Sequence, residues 1–448
     1  MVDSKQNLPW VFLFSVLTFF ACGEKKTTGK GTSDSTTTPQ QVSLVSIDSI
    51  VSNEDLYAYL PGKHKKDSIV CVLFFDPQGK GATPVQLYSG LARQYGMLFA
   101  GSNRSRNGLD FQATRAIVQN LIREISGVYG QQFRKISFYA AGFSGGAKVA
   151  MDAANAVPEL KAIVYAGAPA ASSLATVPLF GFVGDQDMNL ADVVQFDASI
   201  LPPKLHFLRI WEGKHEWPTV GEMKGAVEWM AIRETADRSW GFGLIEEMVE
   251  DSKSENDLLK KEEYLLKARF LSQDLSLPDK GASQLNLLHS MSSWKGSRNL
   301  KFKEYQAEMS MKEDYSQAFF KNDVSWWKGE IQELQQHRKN LPPAMQDRLL
   351  GFFSLAGYSL STKSLQENEE SMAEKMLEIY RLSDPTNPEQ AYLRAVLLGR
   401  RQQADPAMSA LTESLTLGFS DKVRIQQQPE FQFLQASPAF QKMLQSMK

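Results

Sequence analysis

From residue 43 to about 236, short runs of β-branched and aromatic residues alternate with longer stretches of helical periodicity. The short runs predict strands over about 43–51, 55–60, 69–75, 96–101, 135–140, 162–167, 177–183 and 204–211. Helical stretches over about 84–94, 110–129, 145–156, 189–199 and 219–234 lie between most of the later ones. Strands that alternate with helices imply an α/β fold whose mostly parallel sheet is covered on both faces. The first two strands follow each other without a helix and are expected to form an antiparallel hairpin at one edge of an eight-stranded sheet. Past residue 236 the strand signal stops. Residues 237–448 read as all-α and are rich in Leu, Glu, Lys, Gln and Met.

Within the first region, the strand Lys135–Ala140 runs into Ala141-Gly142-Phe143-Ser144-Gly145-Gly146, and a helix follows from Ala147. This is G-x-S-x-G between a strand and a helix, the context of a nucleophile elbow. Such a turn forces the serine into strained backbone angles and needs small neighbours, which Gly142, Gly145 and Gly146 supply. The hydroxyl then stands at a helix N-terminus, where the amide of Gly145 is placed to stabilise an oxyanion. An acid is expected after a later strand and a histidine after the last one. The strand ending at Val183 leads into Gly184-Asp185-Gln186-Asp187, so Asp187 and Asp185 are the acid candidates. His215 follows the last strand on the loop Glu212-Gly-Lys-His215-Glu-Trp-Pro218. Of the five histidines, His206 lies within a strand, His64 precedes the core of the sheet, and His289 and His337 lie in the helical part. In the triad template, His215 takes the proton of Ser144, the acid orients the imidazole, and an acyl-enzyme forms and is hydrolysed.

Taken together, Gly142–Gly146, Gly184–Asp187 and Gly213–Pro218 resemble the α/β-hydrolase family, in the branch of dienelactone-hydrolase-like and polyhydroxybutyrate-depolymerase-like enzymes. The likeness covers about 43–236. It implies Asp187, three residues after Gly184, as the acid, with Asp185 as the alternate. It also implies a second oxyanion amide from the loop after the third strand, Asp76-Pro77-Gln78-Gly79-Lys80. Pro77 has no N–H, which leaves Gln78, Gly79 or Lys80. Gln78-Gly79 stands where this family commonly has His-Gly. Lids in this fold usually enter between the sixth and seventh strands, and only about ten residues fill that gap here, so an open site is expected unless the C-terminal helices cover it. Phe143, Trp217, Asn103, Arg104 and Arg106 are candidates for its rim. For Trp217 plain packing is an equal reading, and for the arginines a solvated loop is the simpler one.

The helical region has its clearest unit near the end. Asn387-Pro388 and Asp405-Pro406 each open a helix, and Gly418 supplies a stop. Two helices joined by a short turn resemble a tetratricopeptide-type repeat, with Pro429-Glu-Phe431 and Pro438-Ala-Phe440 as a capping tail. Of the adjacent Trp326 and Trp327, burial of one is expected, because neighbours on a helix point in different directions. These helices offer a concave surface for a protein partner, or shield the hydrolase pocket.

The chain begins with a targeting signal. Residues 8–21 are strongly apolar, the length of a signal-peptide core and short for a membrane span. Ala21-Cys22-Gly23 resembles a bacterial lipoprotein cleavage box, with Phe19 where Leu is usual, which makes Cys22 the lipidation site. The expected organisation is signal peptide 1–21, flexible tether 22–42, hydrolase domain 43–236 and helical domain 237–448. The tether reading rests on the Gly, Ser, Thr and Lys content of 23–41. The lipid anchor implies the cell envelope, on the outer membrane, facing periplasm or exterior. Cys71, in an apolar strand, is expected to be a core residue. With Cys22 it makes two cysteines, too few for a disulfide framework. A net charge of -2 gives no reason to expect nucleic acid as a partner. No cofactor or metal is required by the triad. The expected activity is cleavage of a carboxylic ester, on a small or polymeric substrate. The competing readings are a binding or scaffold lipoprotein working through its helices, and a peptidase with the same triad.

Overall fold

The structure, a computed structural model, describes residues 48–169, 177–200 and 205–447. The signal, the tether, Cys22 and the start of the first predicted strand lie outside these residues. In chain order the sheet region comprises β1 (Ser49–Ser52), β2 (Leu56–Leu60), β3 (Ser68–Phe75), α1 (Ala82–Leu87), α2 (Ser89–Tyr95), β4 (Leu98–Ser102), α3 (Phe111–Tyr129), β5 (Lys135–Phe143), α4 (Gly145–Ala156), β6 (Leu160–Ala166), β7 (Leu179–Gly184), α5 (Leu190–Ala198), β8 (His206–Trp211) and α6 (Val220–Arg233). The strands form one sheet in the order β1-β2-β4-β3-β5-β6-β7-β8. β1 with β2 and β2 with β4 are antiparallel, and β4, β3, β5, β6 and β7 run parallel. The amide of Leu179, opening β7, bonds to Leu205 just before β8 at 2.9 Å, so the two strands start at the same edge. This order, with its antiparallel opening, is the α/β-hydrolase fold.

Burial follows position. β3 has strands on both sides and reads as an unbroken apolar run, whereas the edge strand β1 is mostly exposed. Cys71 in β3 is fully buried and free. The helices start where side chains cap them: Asp110 accepts from the Ala113 amide at 2.7 Å for α3, and Thr219 from the Glu222 amide at 3.3 Å for α6. The single helix expected over 84–94 is two, broken at Tyr88. Gly96, at φ 63, ends α2 in the left-handed region, which delays the next strand to Leu98.

Two compact units emerge from the contacts. The first holds the sheet and continues to Ser297, leaving out 184–192 and 212–215. Its apolar core does not stop at 236. The helices α7 (Ser239–Ser254), α8 (Leu258–Asp274) and α9 (Ala282–Ser290) contribute Ile245, Met248, Leu265, Phe270 and Leu285 to the cluster that includes Phe180, Phe207 and Trp229. Phe270 lies 5.1 Å from Trp229 and 6.0 Å from Phe180. The strand pattern ends at 236, but the sheet still has apolar surface there, and helices cover it.

The second unit comprises 184–192, 212–215 and 298–448. It contains most of α10 (Ser292–Lys321), then α11 (Val324–Gln335), α12 (Pro343–Gln366), α13 (Glu370–Ser383), α14 (Pro388–Arg400), α15 (Ala404–Thr416), α16 (Lys422–Gln427) and α17 (Pro438–Ser446), with a 3-10 turn over Pro429–Leu434. Trp327 is fully buried and stacks on Phe319 at 4.5 Å, while Trp326 is exposed. The pair α14 and α15 forms a hairpin. Asn387 caps α14 by accepting from the Glu389 amide at 3.1 Å, and Gly418, at φ 106, follows α15. Phe431 and Phe440 of the terminal segment are buried in the same cluster as Tyr392.

Candidate active site

Ser144 sits between β5 and α4 with φ 53 and ψ -120, a conformation that costs a non-glycine residue energy. The glycines around it explain how the chain achieves this. A Cβ on Gly142 would lie 2.0 Å from the Gly146 carbonyl oxygen, and one on Gly146 would lie 1.7 Å from that of Phe75. A Cβ on Gly145 would meet Asn107 Oδ1 at 1.7 Å. Strand, turn and helix therefore approach more closely than any side chain permits. The Ser144 amide donates to the Ala166 carbonyl at 2.8 Å, pinning the turn to the end of β6. Gly145 opens α4, where the first amides lack partners within the helix and carry its positive end.

In the second unit, His215 Nδ1 is 3.0 Å from both Asp187 carboxylate oxygens. The Asp187 side chain is only 1 % exposed against 20 % for that of His215, so the acid is sealed while the imidazole reaches solvent. The Asn189 amide donates to Asp187 Oδ1 at 2.8 Å, which gives the buried carboxylate a second partner. Asp185 does another job. Its side chain accepts from the Gly213 amide at 3.1 Å, and the Gln186 amide donates to the Gly213 carbonyl at 2.9 Å. A Cβ on Gly184 would meet the Gly213 carbonyl oxygen at 2.2 Å. These contacts join the loops after β7 and β8, so that Asp187 rather than Asp185 faces the imidazole.

The loop of Gln78 and Gly79, the expected source of a second oxyanion amide, is folded on itself. The Gln78 and Lys80 amides donate to Asp76 Oδ1 at 2.9 and 3.3 Å, and the Gly79 amide donates to the Asp76 carbonyl at 3.2 Å. Asp76 folds its own loop into a turn that occupies all three amides. This residue was missed in the sequence, although Asp-Pro before Gly-Lys-Gly is a turn signal. Asp76 is buried and also accepts from Trp217 Nε1 at 3.3 Å.

Several of the rim candidates have structural work. Trp217 lies against Phe143 at 5.6 Å, Phe74 at 6.0 Å and Tyr88 at 6.1 Å, so packing accounts for it. Phe143 is buried beneath it. Asn103 Nδ2 donates to the Asn53 carbonyl at 2.9 Å and its Oδ1 accepts from the Gly81 amide at 3.2 Å, which ties two loops together. Arg104 donates to Asp55 and Glu54, which hold its guanidinium above the usual arginine range. Arg106 is exposed. Among the described residues no group of three or more His, Cys, Asp or Glu is placed to hold a metal ion, and no helix is long and apolar enough to cross a membrane.

No protein-family model and no curated protein matches the chain. Solved structures similar to it include the S-formylglutathione hydrolase FrmB from Staphylococcus aureus, at 13% identity over 41% of this chain and 96% of that one, with a TM-score of 0.33. Est1E from Butyrivibrio proteoclasticus is 14% identical over 42% of this chain and 99% of its own, with a TM-score of 0.34. A lidless α/β serine hydrolase from Xanthomonas campestris is 18% identical over 42% of this chain and 94% of its own, with a TM-score of 0.32.

Proposed function

We propose that the protein is a serine hydrolase that cleaves a carboxylic ester through an acyl-enzyme, with Ser144 as nucleophile, His215 as general base and Asp187 as the orienting acid. The observation that carries this reading is the strained Ser144 at the β5–α4 turn. A serine is held in such a conformation where the strain serves exposure of its hydroxyl. The Asp187–His215 pair supports it further. With Nδ1 donating to Asp187, the lone pair that accepts a proton is on Nε2. Ser144 Oγ attacks the carbonyl carbon as its proton passes to Nε2, and the Gly145 amide stabilises the oxyanion. Collapse expels the alcohol, which takes that proton. Water then attacks the acyl-serine with His215 again as base, and Ser144 leaves with the proton.

We also propose, from the sequence, that the protein is held in the cell envelope by lipid on Cys22 and that its helical hairpins form a tetratricopeptide-like region that engages a protein partner. A fluorophosphonate probe tests the nucleophile. The full chain is expected to take up one adduct, located on Ser144 by mass spectrometry, and Ser144→Ala to take up none. Labelling at another serine, or none, contradicts the assignment.

A further inference from the structure

The acid turn is gripped by two cations from the helices of the second unit. Arg348 of α12, only 1 % exposed, donates through Nη1 to the Asp185 carbonyl at 2.8 Å. Lys312 of α10, also buried, donates through Nζ to the Met188 carbonyl. These carbonyls bracket Asp187 on either side. Both cations are fixed by carboxylates, of which Glu308 is fully buried. Arg348 Nε and Nη2 contact Glu308 at 2.8 and 2.7 Å, and Nη2 reaches Glu304 at 3.1 Å. Lys312 Nζ lies 2.9 Å from Glu308 and 3.4 Å from Asp192. Glu308 therefore bridges the two. Gly351, one turn along α12, lies beside Met188: a Cβ there would stand in ordinary contact, 3.4 Å from Met188 Cβ.

Burying two cations with the Glu308 carboxylate is costly, and a purely apolar contact would hold helices together as well. What the charges add is direction. Each aims a charge-assisted donor at one chosen carbonyl, and the carbonyls chosen flank the catalytic acid. We infer that Arg348 and Lys312 are positioning residues of the active site, which hold the turn 185–188 so that Asp187 stays aligned on His215; the helices beyond residue 298 are thereby part of the catalytic apparatus. The inference rests on the hydrolase reading above.

The test is p-nitrophenyl butyrate hydrolysis by the full chain and its variants. Arg348→Met alone leaves the buried Glu308 carboxylate with Lys312 as its remaining cation, which weakens the cluster and threatens folding, so the main variant is Arg348→Met with Glu308→Leu. Lys312→Met leaves Glu308 paired with Arg348 and is the milder second variant. Both are expected to lose kcat by about 10- to 100-fold, the scale for a misplaced catalytic group, with KM within about twofold. Arg348→Lys is expected to restore part of that loss. Arg400→Gln, which breaks an ion pair with Glu430 elsewhere in the helices, is expected to leave kcat unchanged. When Asp187→Asn is already present, adding Lys312→Met or the Arg348/Glu308 pair is expected to cost nothing more, since there is no acid left to align. Full kcat in either folded variant, or a further loss on top of Asp187→Asn, overturns the inference. A parent protein that fails to hydrolyse the ester, with Ser144 unlabelled, instead overturns the hydrolase reading and this inference with it.

Discussion

Ser144 adopts its left-handed backbone only because the residues two before and two after it have no side chain. Gly146→Ala places a methyl 1.7 Å from the Phe75 carbonyl oxygen, which is backbone and cannot turn aside. The expected cost is about 1–3 kcal/mol or more in urea unfolding, with strand or helix displaced. Asp187 and Asp185 make a sharper comparison. Asp187→Asn keeps the shape of the turn but removes the charge facing His215, and kcat is expected to fall on the order of 10³ to 10⁴ with KM little changed. Asp185→Asn retains an oxygen for the Gly213 amide and is expected to leave kcat close to the parent's. The reverse ranking in steady-state kinetics would make Asp185 the acid. The strained turn at Ser144 and the loop position of His215 were legible because each follows from a few consecutive residues. The preference for Asp187 over Asp185 came from the family resemblance alone, since the bonds between the loops after β7 and β8 that turn Asp187 to the imidazole are not local to either segment. The occupied amides of Gln78 and Gly79 escaped for a related reason: Asp76 competes for them locally, and a motif does not report which acceptor wins.

At the scale of elements, the strands and most helices of residues 48–233 follow the periodicity of the sequence closely, because a doubly covered sheet makes burial regular. The departures occur where local chemistry outweighs pattern, as at Tyr88 and Gly96. One junction is electrostatic. Glu234, at the end of α6, accepts from Ser137 and Tyr139 of β5 at 3.0 and 2.9 Å and pairs with Lys161 of β6. Burial alone would raise its pKa, but these partners outweigh it and hold the carboxyl at about 2, below its ordinary 4.5. A depressed native pKa stabilises the fold above about pH 4.5, and that contribution drains away as pH falls toward about 2. Glu234→Gln is therefore expected to lower the melting temperature at neutral pH and to flatten its decline between those pH values. A melting profile parallel to the parent's across that window would show that the junction contributes no such linkage.

For the molecule as a whole, the sequence reading divides the chain where strands end, while the packing divides it at about 297. Phe270 lies outside the strand-bearing region yet touches Phe180, Phe207 and Trp229. Phe270→Ala is expected to destabilise the sheet unit by about 3–5 kcal/mol in chemical denaturation, and a loss below about 1 kcal/mol would separate α7–α9 from that core. The grip of Arg348 on the Asp185 carbonyl was equally invisible, because 163 residues separate them and nothing local in either segment announces the other. At the other end of the chain, labelled palmitate is expected to be incorporated in a bacterial host by the full sequence and not by Cys22→Ser, and equal labelling of both would remove the lipid anchor. Hydrolysis of esters by a Ser144-centred triad is tested by turnover of p-nitrophenyl acetate and butyrate by the parent beside Ser144→Ala of matched folding. Turnover by the parent, with a loss on the order of 10³ or more in the variant, is the expected result. Equal rates in the two proteins, or no turnover in either, would contradict it.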